Sequence, residues 1–594
     1  MSYRAPLRDI GFTLKHVLGL EDLQATGAYP DLDADVVDAV LEAAGQVSEG
    51  TLAPLNVSGD RAGSRLEGDG VIPAPGFGEA YRTFVEGGWM GLAAPVAHGG
   101  QGLPKALELA AFETVHSANM AFGLCPMLSL AAIEALEAHG TEAQKTTYLD
   151  KLISGEWTGA MVLTEPNAGS DLGALTATAT PKGDGTYSLN GQKIYITWGD
   201  HDMTDNIVHM ILARLPDAPP GPKGISLFLA PKYLLNADGS RGERNAFRPV
   251  GVEHKLGIHA SPTCVMAYEG ATAELVGRPN EGLAHMFTMM NAARVAVGVE
   301  GVGIAERAYQ HALAYATDRR QGRSVWTGEA SAPILDHPDV RRTLSVMKAR
   351  IAAGRAICLA TGMAADLARS SADTDAARQW KGREDLLTPI AKAWSTDMGV
   401  EVASMGIQIH GGMGFIEETG AAQYYRDARI APIYEGTNGI QAMDLVGRKL
   451  SQDGGAAARL LIEEMKTVLT PLAALYDGKP VERMANALSA VEDATLWLLD
   501  RKAAEDGTAD VLAAADAYLK LMGDVIGGWF LARGALAAQT LKTSGEGDAD
   551  WLDGRIALYE VYAANVLGHV SSRLAAIGQG GDLLLRMTPA VLAP

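Results

Sequence analysis

The spacing of apolar residues separates the chain into helical and strand-like stretches. Between residues 31 and 160, apolar side chains recur at every third or fourth position, which is the period of an amphipathic helix. The same period returns at residue 280 and continues to the C-terminal region. The predicted helices span residues 33–47, 108–116, 128–139, 300–315, 340–367, 386–405, 458–472 and 510–541.

Residues between these helical stretches carry a different pattern. Strand-length apolar runs occur at 206–214, 224–230 and 263–268. The segment Lys182-Gly183-Asp184-Gly185 has the composition of a turn, and Asn190-Gly191 is typical of a two-residue hairpin between 187–189 and 193–197. A small β domain is therefore predicted between two helical regions.

The order of these stretches predicts a mostly α protein with a central β domain. We place an N-terminal helical domain at 1–159, the β domain at 160–278, a C-terminal helical bundle at 279–455 and an additional helical module at 456–594. The Gly-rich segment 411–414 is expected to end a bundle helix. Residues 452–456 are expected to link the bundle to the last module.

Composition excludes several classes of protein. The net charge is −21 and the pI is near 5.1, which disfavours a nucleic-acid-binding protein. The three cysteines lack any metal-ligand spacing, so neither a disulfide framework nor a metal site is predicted. The longest apolar run, 123–136, is interrupted by Pro126 and Glu134, so we expect no membrane span. With no apolar leader at the start, we predict a cytoplasmic location.

One carboxylate stands out in Ile433-Tyr434-Glu435-Gly436-Thr437. Glu435 has no basic neighbour in sequence, and Gly436 leaves space for a ligand to approach the backbone. A carboxylate shielded from water has a raised pKa and can act as a general base on carbon. The alternative is an acid that favours the start of the following helix. From the motif alone, the acid at the start of the helix is the favoured interpretation.

Three further motifs accompany it in a fixed order. They are Thr164-Glu165-Pro166-Asn167-Ala168-Gly169-Ser170-Asp171, Asn190-Gly191-Gln192-Lys193-Ile194-Tyr195-Ile196-Thr197 and Gln408-Ile409-His410-Gly411-Gly412-Met413-Gly414. Each alone also fits an ordinary turn, a cross-strand packing pair or a helix end. Together with the Glu435 motif, they resemble the acyl-CoA dehydrogenase family over at least residues 139–450.

The resemblance implies a fold and a cofactor. That family has a helical N-terminal domain, a β-barrel and a four-helix bundle that holds FAD. The positions that match FAD contacts of the family are Met161, Leu163, Thr164, Gly169, Ser170, Tyr195, Thr197, Arg319, Gln408, Gly411, Gly412, Thr437 and Gly439. Ser170, Asn291 and Arg294 match positions that contact the CoA part of the substrate. The family more often has tryptophan where Tyr195 stands, and an aromatic residue where Gly322 stands.

The resemblance also implies the activity. Glu435 matches the base that removes the α proton of an acyl-CoA while a hydride leaves the β carbon, giving a trans-2-enoyl-CoA. Electrons then pass to an electron-transferring flavoprotein, and the enzyme is a homodimer or homotetramer. The motif around Glu435 and the long C-terminal module most resemble the large bacterial branch of the family, which includes 3-methylmercaptopropionyl-CoA dehydrogenases. The expected substrate is therefore 3-methylmercaptopropionyl-CoA or another short to medium acyl-CoA.

Two alternatives remain. The first is an acyl-CoA oxidase, which would pass electrons to oxygen. Either an oxidase or a dehydrogenase could act on longer fatty acyl chains. A DNA-associated flavoprotein with little turnover would need a basic face. Residues 457–594 contain no basic run, so the last alternative ranks below the others.

Overall fold

The N-terminal region is helical, as predicted. The computed structural model describes residues 3–594. The α-helices of this region are Leu7–Phe12, Leu20–Ala25, Ala34–Val47, Leu55–Ala62, Phe77–Glu86, Lys105–Ala118, Met120–His139 and Glu142–Ile153. A short hairpin of Arg65–Glu67 and Gly70–Ile72 lies in a segment for which no strand was predicted. Met120–His139 is buried almost along its whole length and packs on the β domain and the bundle.

The central region is a β domain, but the predicted closed barrel is not observed. The main sheet has seven strands, Trp157–Val162, Thr178–Pro181, Tyr187–Thr197, Asn206–Arg214, Ile225–Pro231, Phe247–Val252 and Thr263–Val276. Strands Phe247–Val252 and Trp157–Val162 lie at the two ends of the pairing order. Within residues 3–594, Thr178–Pro181 joins Asn206–Arg214 through the single pair Thr178–Arg214. That junction is therefore weak, and Asn206–Arg214 is joined to the rest of the sheet mainly by Ile225–Pro231, which also pairs with Thr263–Val276.

The hairpin predicted at Asn190-Gly191 is wrong. Tyr187–Thr197 is one continuous strand whose partner is the long strand Thr263–Val276. Its other neighbour, Thr178–Pro181, reaches it through the turn at Lys182–Gly185, where the Lys182 amide donates to the Thr186 carbonyl at 2.9 Å. The turn predicted from Lys182-Gly183-Asp184-Gly185 is therefore confirmed.

Three long helices form the centre of the bundle, namely Gly282–Asp318, Pro338–Ser370 and Thr374–His410. Each is longer than its predicted span. The first and third approach each other closely at glycines, since a Cβ added at Gly301 would lie 2.5 Å from the Ser395 carbonyl oxygen. The short helices Ala421–Ala428 and Asn438–Asp444 follow, and the second carries the Glu435 turn on its N-terminal side.

The last region adds eight helices, Ala456–Lys466, Leu469–Leu475, Lys479–Ala503, Thr508–Ser544, Ala549–Asn565, Val570–Ile577, Asp582–Leu585 and Pro589–Leu592. It shares one hydrophobic core with the bundle. The Trp394 indole donates to Asp524 at 2.9 Å, and Arg555 lies 3.0 Å from Asp9 of the N-terminal region. The boundaries at 159, 278 and 455 stay predictions.

Two helices, Met120–His139 and Pro338–Ser370, are long and apolar enough by composition to cross a membrane. Most of the apolar stretch of each is buried inside the protein, 89% and 78% respectively. Packing within the core accounts for their apolar character.

Candidate active site

Glu435 lies on a left-handed turn. Its φ is +58° and that of Gly436 is +79°. A non-glycine residue in this region of φ is uncommon and costs conformational energy, so the surrounding structure must hold it there. A Cβ at Gly436 would lie 2.7 Å from the Gln441 amide nitrogen, so this position also requires glycine for space. Thr437 then caps helix Asn438–Asp444 by accepting from the Ile440 amide at 3.2 Å.

The environment of Glu435 favours a proton acceptor at neutral pH. The residue is half-buried. Burial raises the pKa of its carboxyl to about 7, although Arg294 and Lys392 act in the opposite direction. The sequence shows no basic residue beside Glu435, but the fold brings these two cations near it from separate helices. Their attraction offsets only part of the effect of burial.

A network on helix Thr374–His410 supports the turn. Lys392 is fully buried, and its ammonium donates to the Asn438 side-chain oxygen at 2.8 Å. The Asn438 amide in turn donates to Thr396 at 3.0 Å and to Asp397 at 2.8 Å. Burial lowers the pKa of Lys392 to about 7, while Glu435 acts to raise it. These bonds fix Asn438, which directly follows Thr437, to the bundle.

Arg294 and Asn291 lie beside the same turn. Arg294 is 3% exposed, and its guanidinium donates to the Asn291 side chain at 3.1 Å. One guanidinium nitrogen lies 3.6 Å from the Cβ position of Gly436. The Arg294 Nε has no hydrogen-bond partner among residues 3–594. The structure therefore brings Asn291, Arg294 and Glu435 together, and the guanidinium has an N–H free to donate to a further polar ligand.

The candidate residues of the β domain form a second part of the site. The Lys193 ammonium donates to the Leu163 carbonyl at 2.8 Å and pairs with Glu165 at 2.9 Å, and both side chains are buried. The Ile194 amide donates to the Thr164 carbonyl at 2.9 Å. These bonds hold the end of strand Trp157–Val162, with Met161 and Leu163, against the strand that carries Tyr195 and Thr197.

Tyr195 has an unusual backbone. Its φ is +59°, and the pairing with Thr263–Val276 shifts register next to it. The side chain is 61% exposed, while Ile196 is buried and Thr197 is half-buried. The irregular strand therefore leaves the Tyr195 ring accessible to a ligand.

These residues fit a flavin. Met161 and Leu163 are apolar, Thr164 and Thr197 provide hydroxyls, and Tyr195 offers an exposed ring, a set suited to a flat heteroaromatic ligand with a polar edge. Gly169 and Ser170 follow on an exposed turn. No atom lies within 4 Å of the Cβ position of Gly169, so the turn leaves space beside its backbone.

A third set of candidate FAD contacts lies away from Glu435. These residues are exposed at the ends of two bundle helices and comprise Arg319, Gln408, Gly411 and Gly412. The two helices meet where the Tyr315 and His410 rings stack, with centroids 4.5 Å apart. Along helix Gly282–Asp318, Arg319 lies roughly 37 Å from Arg294 at 1.5 Å per residue. The structure does not bring this set to Glu435 within one chain. Thr437 and Gly439 instead lie beside Glu435.

Three residues near Glu435 were not singled out from the sequence. They are Lys392, Glu300 and Tyr434, and the Tyr434 hydroxyl donates to the Glu300 carboxylate. A signal existed for two of them, because Lys392 and Glu300 each stand alone as a charge within an apolar helical stretch. Sequence periodicity could not show that both face the same turn.

Four domain models of known families match the chain. Residues 65–156, 160–270 and 280–450 match the N-terminal, middle and C-terminal domains of acyl-CoA dehydrogenase. Residues 461–588 match the model described as acetyl-CoA dehydrogenase C-terminal like.

Similar proteins extend over nearly the whole chain. A 3-methylmercaptopropionyl-CoA dehydrogenase of Ruegeria pomeroyi is 47% identical over 98% of this chain and 99% of its own. An acyl-CoA dehydrogenase of Bacillus anthracis complexed with FAD has a TM-score of 0.73 at 21% identity, covering 94% of this chain and 91% of that chain. Caenorhabditis elegans ACDH-11 in complex with C11-CoA has a TM-score of 0.77 at 22% identity, covering 95% and 92%.

The two solved structures, at 21% and 22% identity, show that the fold is shared. The matched segments of the domain models include Thr164, Tyr195, Gln408 and Glu435, and the relative from Ruegeria pomeroyi is 47% identical over 98% of this chain. The chain belongs to the acyl-CoA dehydrogenase family of oxidoreductases.

Proposed function

We propose that this enzyme oxidises an acyl-CoA to a trans-2-enoyl-CoA, with Glu435 as the base that removes the α proton. One observation carries the proposal above the others. A half-buried carboxylate whose pKa is raised to about 7 by burial stands on a left-handed turn, next to the buried guanidinium of Arg294. A base poised near neutral pH combines a sufficient ionised fraction with a sufficient affinity for the proton.

Separate residues of this chain act on the proton, the thioester and the CoA part of the substrate. The Glu435 carboxylate accepts the proton from the α carbon. Gly436 lets the thioester approach the backbone, where an N–H can polarise the carbonyl. Arg294 and Asn291 contact the CoA part, together with Ser170. Bound FAD would supply the acceptor for the hydride that leaves the β carbon with both electrons of the C–H bond.

The FAD contacts are proposed to come from two subunits. The contacts proposed to come from one chain are made by Met161, Leu163, Thr164, Gly169, Ser170, Tyr195, Thr197, Thr437 and Gly439. The separation of roughly 37 Å between Arg294 and Arg319 along the helix supports assigning Arg319, with Gln408, Gly411 and Gly412, to the FAD of a neighbouring subunit. Their exposed glycines and guanidinium suit a phosphate held by a neighbouring subunit. A homodimer or homotetramer would satisfy this arrangement.

The substrate is proposed to be 3-methylmercaptopropionyl-CoA. Support comes from the relative of that name, which matches this chain from end to end. The electron acceptor is proposed to be an electron-transferring flavoprotein and the location cytoplasmic. Domain boundaries at 159, 278 and 455 belong to the same proposal.

Anaerobic mixing of the purified yellow protein with acyl-CoA tests the function. We expect bleaching of the flavin absorbance, with 3-methylmercaptopropionyl-CoA among the fastest of a C3 to C16 panel. The variant Glu435→Gln should keep bound flavin and lose bleaching, while Glu418→Gln, which changes an exposed acid, should match the unchanged enzyme.

Other outcomes would contradict parts of the proposal. A protein that stays colourless when given FAD would refute the flavin site. Reduction of Glu435→Gln at an unchanged rate would assign the base to another residue. A flat or long-chain profile would reject the sulfur-containing substrate, and peroxide formed in air at the turnover rate would identify an oxidase.

A further inference from the structure

A second carboxyl lies beneath the Glu435 turn, in the closest part of the bundle. Glu300 is fully buried on helix Gly282–Asp318. Gly298 and Gly301 flank it, and a Cβ added at either would lie within 2.6 Å of a carbonyl oxygen on helix Thr374–His410. The helices therefore pack backbone against backbone at this level, and their contact leaves Glu300 without access to bulk water.

Only one of the two carboxyl oxygens of Glu300 has a hydrogen-bond partner within the described chain. The Tyr434 hydroxyl donates to Oε2 of Glu300, whereas Oε1 has no hydrogen-bond partner among residues 3–594. A buried carboxylate ion normally fills its acceptor positions or pairs with a cation. No ion pair to Glu300 occurs in the described part of the chain, although Lys392 lies near enough to act on it electrostatically. The bonding of Glu300 suits a neutral carboxylic acid.

We propose that Glu300 is a positioning residue for the base: held as a neutral acid in the helix contact, it anchors the Tyr434 hydroxyl and so sets the left-handed turn that carries Glu435. The inference rests on the proposed function, because it concerns the same base. Glu300 does not touch substrate itself, since its side chain has no exposed surface, whereas Glu435 is half-buried and accessible.

The charges around the pair agree with this assignment. Burial raises the pKa of Glu300 to about 8, the Tyr434 bond and Lys392 act to lower it, and Glu435 acts to raise it. Burial raises the pKa of Glu435 to about 7. Arg294 favours ionisation of Glu435 and not of Glu300, and the charge of an ionised Glu435 opposes ionisation of Glu300, so Glu435 loses its proton first as the pH rises and Glu300 stays neutral up to about pH 7. A second negative charge beside the base is avoided, and the Tyr434 anchor stays the same across that range.

Rapid-mixing measurements on the FAD-loaded protein test the anchor. In Glu300→Ala and in Tyr434→Phe, we expect the limiting rate of flavin bleaching to fall by about tenfold, with substrate dissociation constants changed by less than about threefold, because orientation and not binding is disturbed. Glu300→Gln keeps the size and an acceptor for the Tyr434 hydroxyl, so it should recover most of the rate. The double variant Glu300→Ala with Tyr434→Phe should be no slower than either single variant, since both remove one interaction.

Each departure from this pattern overturns the proposal. Unchanged rates in both single variants would show that the anchor does not position the base, and multiplied losses in the double variant would show separate roles. A Glu300→Gln variant as slow as Glu300→Ala would show that an ionisable carboxyl is needed. If Glu300→Ala does not fold, Tyr434→Phe and Glu300→Gln still decide the question.

Thermal denaturation gives a second measurement that does not depend on turnover. An unfolded Glu300 ionises near its usual pKa, but the folded one keeps its proton to about pH 8. The unchanged protein should therefore lose stability relative to Glu300→Gln as the pH rises from 5 to 8. An equal difference in melting temperature at pH 5 and pH 8 would mean that folded Glu300 is not held neutral, which overturns the proposal. Failure of the unchanged enzyme to bleach with any acyl-CoA would instead refute the proposed function.

Discussion

The pH dependence of flavin bleaching tests the surroundings of Glu435 directly. Burial raises the pKa of this carboxyl to about 7. Only the carboxylate can take the α proton, and its fraction is about 9% at pH 6, about 50% at pH 7 and about 91% at pH 8. The second-order rate constant for bleaching at low substrate concentration, which reports the free enzyme, should therefore rise about tenfold between pH 6 and pH 8 and then level off. A carboxyl with an ordinary pKa would be almost fully ionised at pH 6 and would give a flat profile.

A variant of Lys392 tests the cause of the midpoint. Protonated Lys392 lowers the pKa of Glu435, and because burial lowers the pKa of Lys392 itself to about 7, this effect fades above that pH; Lys392→Met should therefore move the midpoint of the rate profile upward by less than about 1 pH unit. The matched control Lys466→Met removes a lysine that bonds Glu463 and Glu492 in the last region, and it should leave the midpoint unchanged. Stopped-flow absorbance measures each rate. A flat profile between pH 6 and pH 8, or a midpoint that moves downward in Lys392→Met, would refute the electrostatic reasoning.

Three further substitutions test the supports of the site. Lys193→Met leaves the buried Glu165 carboxylate without its cation, so we expect a loss of about 3 kcal/mol, measured as a lower melting temperature, and weaker flavin retention in gel filtration. Gly436→Ala places a Cβ at φ +79° and should slow bleaching about tenfold or more with the fold kept by circular dichroism. Arg555→Met removes one of the cations that face the buried Asp9, so it should cost about 1–2 kcal/mol and make the last region more sensitive to limited proteolysis.

Local patterns predicted some elements well and failed where distant pairing decides the structure. Strand Asn206–Arg214 was predicted with its observed bounds, because an apolar run of strand length leaves few alternatives. Asn190-Gly191 was misread as a hairpin because its dipeptide usually forms one. The long strand Thr263–Val276 pairs along the whole of Tyr187–Thr197 and keeps the chain extended through Gly191, whose φ is +144°.

The same distinction applies to the site. Glu435, Gly436 and Thr437 are consecutive, so their motif is visible in the sequence. Lys392 and Glu300 come from two other helices, and only the packing of those helices brings both to the turn. Helical periodicity identifies which face of a helix is apolar, but it does not show which residue of a distant helix meets that face.

The small residues that allow this packing also determine the chemistry of the base. Close contact at Gly298 and Gly301 brings two helix backbones together, and Glu300 between them has no solvent-exposed surface. Loss of hydration raises the pKa of both carboxyls, while Lys392 limits the rise at Glu435. The two left-handed non-glycine residues of the site, Tyr195 and Glu435, then require firm support, because a strained backbone persists only where its neighbours fix it. If Glu435 is the base, as proposed, helix packing contributes to reactivity as well as to stability, since the contacts that bury Glu300 also support the turn that carries Glu435.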